Sequence, residues 1–195
     1  LFLLGVPLKV YGLIKRTAKN IYWYVFDLRF EANKINNSIH TILFICQGNI
    51  IRSVFSEKYF TRISEQNNKR KIKTMSAGVK VKPGTPSPQN AIKTSEIYDI
   101  DLLSNRSVQV TENMIRESDL IFCMEVWHYK QLVKKYPAYK KKYFLLALFD
   151  TEIQNSPFLK YNIPDPYGME IKIFEETFFR ITNCLNNLNS VLSVK

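Results

Sequence analysis

Thr41-Ile42-Leu43-Phe44-Ile45-Cys46-Gln47-Gly48-Asn49-Ile50-Ile51-Arg52-Ser53 is the stretch on which the reading of this chain turns. Thr41–Ile45 is a short apolar run with β-branched residues, the pattern of a strand buried on both faces. It stops at Cys46, and Gly48 and Asn49 follow as loop residues that relax backbone restrictions. From Arg52 to Gln66 the apolar residues Val54, Phe55, Tyr59, Phe60 and Ile63 recur at helical spacing. Residues 46–53 therefore form a strand-to-helix turn. Such a turn aims backbone N–H groups at one point, and the helix dipole adds positive potential there.

The rest of the chain repeats this alternation. Lys71–Ser76 predicts a second strand, stopped by Ala77–Gly78, and Pro83, Gly84, Pro86 and Pro88 mark a loop. Helices are expected over Gln89–Tyr98, Thr111–Arg116, Glu125–Lys135 and Glu170–Val191. Asp119–Cys123 and Tyr143–Leu148 are expected as third and fourth strands. Strands alternating with helices imply an α/β fold of three layers, a parallel sheet with helices on both faces. Ligands of such sheets bind beyond the carboxyl ends of the strands, where Cys46–Ser53 lies.

Residues 1–39 read as a separate basic and aromatic arm of helical character, and 40–195 as the folded domain. Lys9, Lys15, Arg16 and Lys19 interrupt the apolar stretches of the arm, so no run reaches the roughly 18 residues of a membrane span. The arm suits peripheral contact with a membrane or a partner as well as it suits packing on the domain. The formal charge of +11 is compatible with nucleic acid, an anionic membrane face, or acidic and phosphorylated substrates, and does not choose among them. Cys46, Cys123 and Cys184 are sparse and widely spaced. That usage fits a reduced, cytoplasmic protein rather than a disulfide scaffold or zinc site. With His40 and His128 as the only histidines, a multi-histidine metal site is not expected.

Cys46 with Arg52 gives the loop its chemistry. A helix N-terminus beside an arginine favours the thiolate, a nucleophile able to attack phosphorus in line. The guanidinium of Arg52 can grip two phosphate oxygens as a fork, which lysine cannot. Ser53 can hydrogen-bond to the sulfur and ease its departure in a second step. A Cys-x5-Arg spacing alone is weak, since a buried strand-end cysteine is common; its place at the first strand-to-helix turn strengthens it. The second element is Ile163-Pro164-Asp165-Pro166-Tyr167-Gly168. Asp165 on a stiff, proline-flanked loop can protonate a leaving group and later activate water, and Tyr167 can flank an aromatic ring. By itself, Asp-Pro is an ordinary turn.

These residues resemble the low-molecular-weight protein tyrosine phosphatases, from about Thr41 to Leu192. The resemblance rests on CQGNIIRS at Cys46–Ser53, SAG at Ser76–Gly78, SDLIFCMEVWH at Ser118–His128 and DPYG at Asp165–Gly168. It implies a four-stranded parallel sheet of flavodoxin-like order. It also implies Cys46 as nucleophile, Arg52 as phosphate clamp and Asp165 as acid, with Gln47, Gly48, Asn49, Ile50, Ile51, Ser53 and Tyr167 around the substrate. No metal or cofactor is implied. The implied partner is a phosphotyrosine-containing protein, with no nucleic acid expected. In bacterial members such substrates are often tyrosine autokinases of polysaccharide export. Several positions depart from the pattern. Ile51 replaces the cysteine with which many members pair an oxidised nucleophile, Val54 replaces a proline, and Asn105 stands where a histidine usually supports the loop asparagine. Val81 replaces the aromatic residue of many eukaryotic members, which favours the bacterial type.

Three neighbouring readings share the loop. Arsenate reductases of this fold need a further cysteine pair, and Cys123 has no sequence neighbour to form one. Protein arginine phosphatases tend to carry threonine where this chain has Ile50. A non-catalytic phosphate-binding module would be favoured by loss of Cys46, Arg52 or Asp165, and all three are present. His128, at helical spacing after Met124, is read as a structural hydrogen-bonding residue, and Cys123 and Cys184 as packing residues. The Lys134–Tyr143 run is a solvated face that could also guide an acidic substrate or contact anionic lipid.

Overall fold

The computed structural model describes residues 39–66, 72–152 and 157–193. Apart from Ile39, the expected arm over 1–39 lies outside the described residues. Four strands, β1 (Thr41–Cys46), β2 (Lys73–Gly78), β3 (Leu120–Cys123) and β4 (Tyr143–Leu145), form one parallel sheet in the order β2-β1-β3-β4. The helices are α1 (Arg52–Gln66), α2 (Gln89–Glu96), α3 (Glu112–Glu117), α4 (Val126–Lys135), α5 (Pro157–Tyr161) and α6 (Ile171–Ser193). The chain leaves β1 for β2 on one side and returns to β3 on the other. This reversal opens a crevice at the carboxyl end of β1, as the topology of open α/β sheets requires.

The core has two halves, one on each face of the sheet. Side chains alternate along β1, so Ile42, Phe44 and Cys46 join the cluster under α1 and α6, whereas Leu43 and Ile45 join the cluster with α3 and α4. Burial on both faces explains why the strand reads as an unbroken apolar run. Phe55 of α1 stacks on Phe178 of α6 with ring centroids 3.9 Å apart, which locks the first helix to the last. Truncating a fully buried Phe of this kind costs about 3–5 kcal/mol. Among the described residues, no helix is long and apolar enough to cross a membrane.

Several element boundaries differ from those expected. Tyr143–Leu148 was expected to be one strand, but β4 ends at Leu145 and Leu146–Phe149 turns into a 3-10 helix. The cause is lack of a partner: β4 pairs only with Ile121–Cys123, and β3 stops there. The apolar residues beyond, Leu146, Ala147 and Phe149, are buried by turning inward instead. β2 extends to Gly78, two residues past the expected end at Ser76, because its pairing continues as far as Cys46 opposite Gly78. The second helix stops at Glu96 rather than Tyr98, and Asp99 reverses the chain at φ 52°. The 3-10 turn over Pro137–Lys142 and the short α5 were not anticipated from the sequence.

Candidate active site

The loop after β1 is shaped by one left-handed residue. Asn49 sits at φ 55°, a conformation asparagine tolerates, and its backbone N–H then points back to donate to Cys46 Sγ at 3.2 Å. Gly48, expected to supply conformational freedom, is not left-handed. A side chain there would meet only Ile50, at 3.6 Å, while taking space in the pocket that Gly48 lines. The glycine that the loop demands is Gly78 on β2. A Cβ there would lie 2.6 Å from the Gln47 carbonyl oxygen and 3.0 Å from the Asn49 nitrogen. The loop can therefore lie against β2 only because this position has no side chain.

Behind the sulfur, donors and acceptors fix one another. The Asn49 amide donates to Ser53 Oγ at 3.0 Å and to Ser76 Oγ at 2.8 Å, while its Oδ1 accepts the Val108 N–H at 2.9 Å. Ser53 Oγ accepts from Asn49, and its own proton is available to a thiolate at Cys46 Sγ, 3.0 Å away. Ser76 in turn donates a hydrogen bond to Glu57 Oε2 at 2.5 Å. Burial raises the Glu57 pKa, against the lowering effect of the Ser76 hydroxyl and of Lys58. Asn105, at the position where the resemblance expects histidine, donates to the Asn49 carbonyl and to Ser87 Oγ, each at 3.2 Å. Asparagine keeps this support with a neutral group. Asn49 and Ser53, expected among the substrate-contacting residues, are 1% and 0% exposed and back the loop instead of lining the pocket.

Arg52 lies under the pocket floor. Its Nη1 donates to Glu125 Oε1 at 2.6 Å and to the Ile163 carbonyl at 2.8 Å, and its Nη2 donates to Asp165 Oδ2 at 2.5 Å. The buried Nε has no partner. Glu125 precedes α4, and its backbone N–H donates to His128 Nδ1 at 3.0 Å, so the imidazole proton resides on Nε2. Burial first, and the positive charge of Arg52 second, push the His128 pKa down to about 2. His128 is thus a neutral structural residue, as its spacing suggested.

Asp165 approaches from the other wall, its side chain 36% exposed. Its loop is tied to the residue just after β3 through the Ile163 N–H and the Met124 carbonyl at 2.8 Å, and Asp165 Oδ1 accepts the Tyr167 N–H at 3.2 Å. The resulting cavity, about 240 Å³, brings together Cys46, Gln47, Gly48, Ile50, Ile51, Arg52, Asp165 and Tyr167. It also recruits Lys80, Lys82 and Thr85, which the sequence did not single out. Cys123 pairs with Ile45 in the cluster on the opposite face of the sheet from Cys46, and Cys184 is buried in α6; both thiols are free, with pKa values raised by burial. A sulfur, a guanidinium and a carboxylate around one small cavity can bind a phosphate ester and exchange its oxygen substituent in line.

The chain belongs to the low molecular weight phosphotyrosine protein phosphatase family, whose model matches residues 41–195. The probable low molecular weight protein-tyrosine-phosphatase EpsP of Ralstonia nicotianae is 26% identical over 138 residues, 71% of this chain and 86% of that protein. A protein-arginine-phosphatase of Bacillus subtilis is equally similar, 26% identical over 148 residues, 75% of this chain and 93% of that one. Among solved structures, the tyrosine phosphatase Wzb from Escherichia coli K30 in complex with sulphate superposes with a TM-score of 0.69 at 25% identity. That match covers 78% of this chain and 98% of the other.

Proposed function

We propose that this phosphatase hydrolyses phosphotyrosine in protein substrates through a cysteinyl-phosphate intermediate. The observation that carries the reading is the shared cavity in which Cys46, held by Ser53 and the Asn49 N–H, faces Arg52 and Asp165. In the first step Cys46 Sγ attacks phosphorus while Asp165 delivers a proton to the departing phenolic oxygen. The loop N–H groups and Arg52 hold the equatorial oxygens, whose charge grows in the transition state. In the second step the Asp165 carboxylate takes a proton from water as its oxygen attacks phosphorus and the S–P bond breaks. The Ser53 hydroxyl, within hydrogen-bond distance of the sulfur, stabilises the leaving thiolate.

The relatives span tyrosine and arginine phosphatases, so specificity rests on the walls of the cavity. Ile50 and Tyr167 offer apolar and aromatic surface on which a phenyl ring can lie. Where arginine phosphatases tend to carry threonine, Ile50 presents no hydroxyl to the polar N–P linkage of phosphoarginine. A purely phosphate-binding module would have no use for a thiol and a carboxylic acid on opposite sides of the ligand.

The test is turnover of matched phosphotyrosine and phosphoarginine peptides, with Cys46→Ser beside the wild type. Phosphotyrosine should be the better substrate, and Cys46→Ser should lose at least about a hundredfold in rate while still binding a phosphate mimic. Preferred turnover of phosphoarginine would overturn the tyrosine assignment. A Cys46→Ser rate above about a hundredth of wild type would overturn cysteine catalysis.

A further inference from the structure

Two cations on the rim of the cavity have no part in the chemistry above. Lys80 and Lys82 line it beside Gln47 and Thr85, in the segment that follows β2. Val81 between them turns back toward Gly78, its Cγ2 filling the space that a Cβ of that glycine would need. The chain bends at Val79 and Lys80, and both Lys80 and Lys82 border the cavity. The segment is firmly held. Lys80 N–H donates to the Gln47 carbonyl at 3.0 Å, and the Gln109 side chain accepts from Val81 N–H at 3.1 Å and donates to the Val79 carbonyl at 3.2 Å. The Lys82 carbonyl accepts from Ser107 Oγ at 2.8 Å. Both lysine side chains are exposed, and among the described residues neither forms an ion pair. The nearby carboxylates of Glu125 and Asp165 are both engaged by Arg52.

A phosphate seated in the loop is already served by Arg52 and the backbone N–H groups, so the lysines are surplus to it. We infer that Lys80 and Lys82 form a subsite for a carboxylate on a residue flanking the phosphotyrosine, making the protein selective for acidic sequence contexts. This rests on the phosphotyrosine reading above. Exposed ion pairs are individually weak and are screened by salt, so the expected preference is modest, roughly fivefold in kcat/KM for two of them at low ionic strength.

The experiment compares three peptides with the same phosphotyrosine, flanked by Glu, Ala or Lys, at low and high salt. The order expected is Glu, then Ala, then Lys, with the spread shrinking as salt is added. The Lys80→Glu/Lys82→Glu variant should reverse that order. A control, Lys140→Glu/Lys141→Glu, changes the net charge equally on the 3-10 turn that precedes β4, at the other end of the strands; it should preserve the order. Equal turnover of the three peptides by the wild type, or a control that reverses the order as the rim variant does, would overturn the subsite while leaving the phosphotyrosine assignment standing. Failure to hydrolyse any of the three, with phosphoarginine turned over, would remove both.

Discussion

Arg52 and Arg180 are two interior arginines, each pairing with carboxylates and loop carbonyls, and they are used in opposite ways. Arg180 donates from Nε to Asp150 at 2.6 Å, from Nη1 to the Asn162 carbonyl at 2.8 Å and from Nη2 to the Leu159 carbonyl at 2.5 Å. All three of its nitrogens are occupied, and it joins α6 to α5 and to the loop that follows. Arg52 binds the next residues of that loop, Ile163 and Asp165, but its Nε is free of partners and its guanidinium forms part of a cavity. A buried ion pair is therefore no sign of function in itself. What separates the two is whether a donor remains unpartnered and whether the guanidinium borders a cavity.

The sharpest test exchanges each arginine for lysine. Arg52→Lys should lower kcat by at least about a hundredfold even well below its Tm, because a point charge cannot reproduce the fork on the transferring phosphoryl group. Its buried bonds to Glu125, Ile163 and Asp165 make a loss of stability expected as well. Arg180→Lys should differ in the rate. It should cost about 2–3 kcal/mol of stability, a fall of roughly 5–10 °C in Tm, and leave kcat near wild type below the melting range. If both variants lost activity alike well below their Tm, the contrast would be false.

Their carboxylate partners give the next test. Asp165→Asn should slow a phosphotyrosine peptide by roughly a hundredfold but p-nitrophenyl phosphate much less, since nitrophenolate leaves without a proton whereas tyrosine phenolate, with a pKa of about 10, needs one. Asp150→Asn should alter stability and treat both substrates alike. Equal losses on the two substrates for Asp165→Asn would limit its role to the hydrolytic step or to structure.

The smallest expected effect concerns the neutral imidazole near Arg52, which has no equivalent around Arg180. The folded pKa of His128 is about 2, against an unfolded value of about 6.5. As the pH falls below about 6.5 the unfolded chain takes up a proton that the fold refuses, so His128 makes the protein less stable toward acid. The slope approaches about 1.4 kcal/mol per pH unit. His128→Asn, which can still accept the Glu125 N–H, should flatten the decline in Tm between pH 6 and 5 relative to wild type. An unchanged slope would mean that the imidazole becomes charged in the folded protein.

The parts of the site written in consecutive residues are legible in the amino-acid sequence alone. The strand, turn and helix of 41–66 carry their own periodicity, and Cys46, Arg52 and Ser53 fall where a turn must place them. Asp165 is legible mainly through the resemblance, since Asp-Pro before a helix is commonplace. Glu57, Ser76, Glu125, Lys80 and Lys82 are ordinary residue types that reach the loop only because β2 and β3 flank β1. Ser76 and Glu125 lie within recognised motifs, but their contacts span 27 and 73 residues of sequence, and no local pattern reports such a distance. The shortened β4 is hidden for a similar reason: an apolar run does not disclose where its neighbour ends.

The stacking of Phe55 on Phe178, and the grip of Arg180 on the loop before Asp165, set an order in time. Arg52 and Asp165 are 113 residues apart, so at about 5–20 residues per second a ribosome makes the cysteine loop roughly ten seconds before the acid that completes it. Even then the acid loop lacks its second anchor, and α1 lacks its stacking partner, until α6 has emerged. The helix that braces both the first helix and the acid loop is thus made after either of the parts it holds.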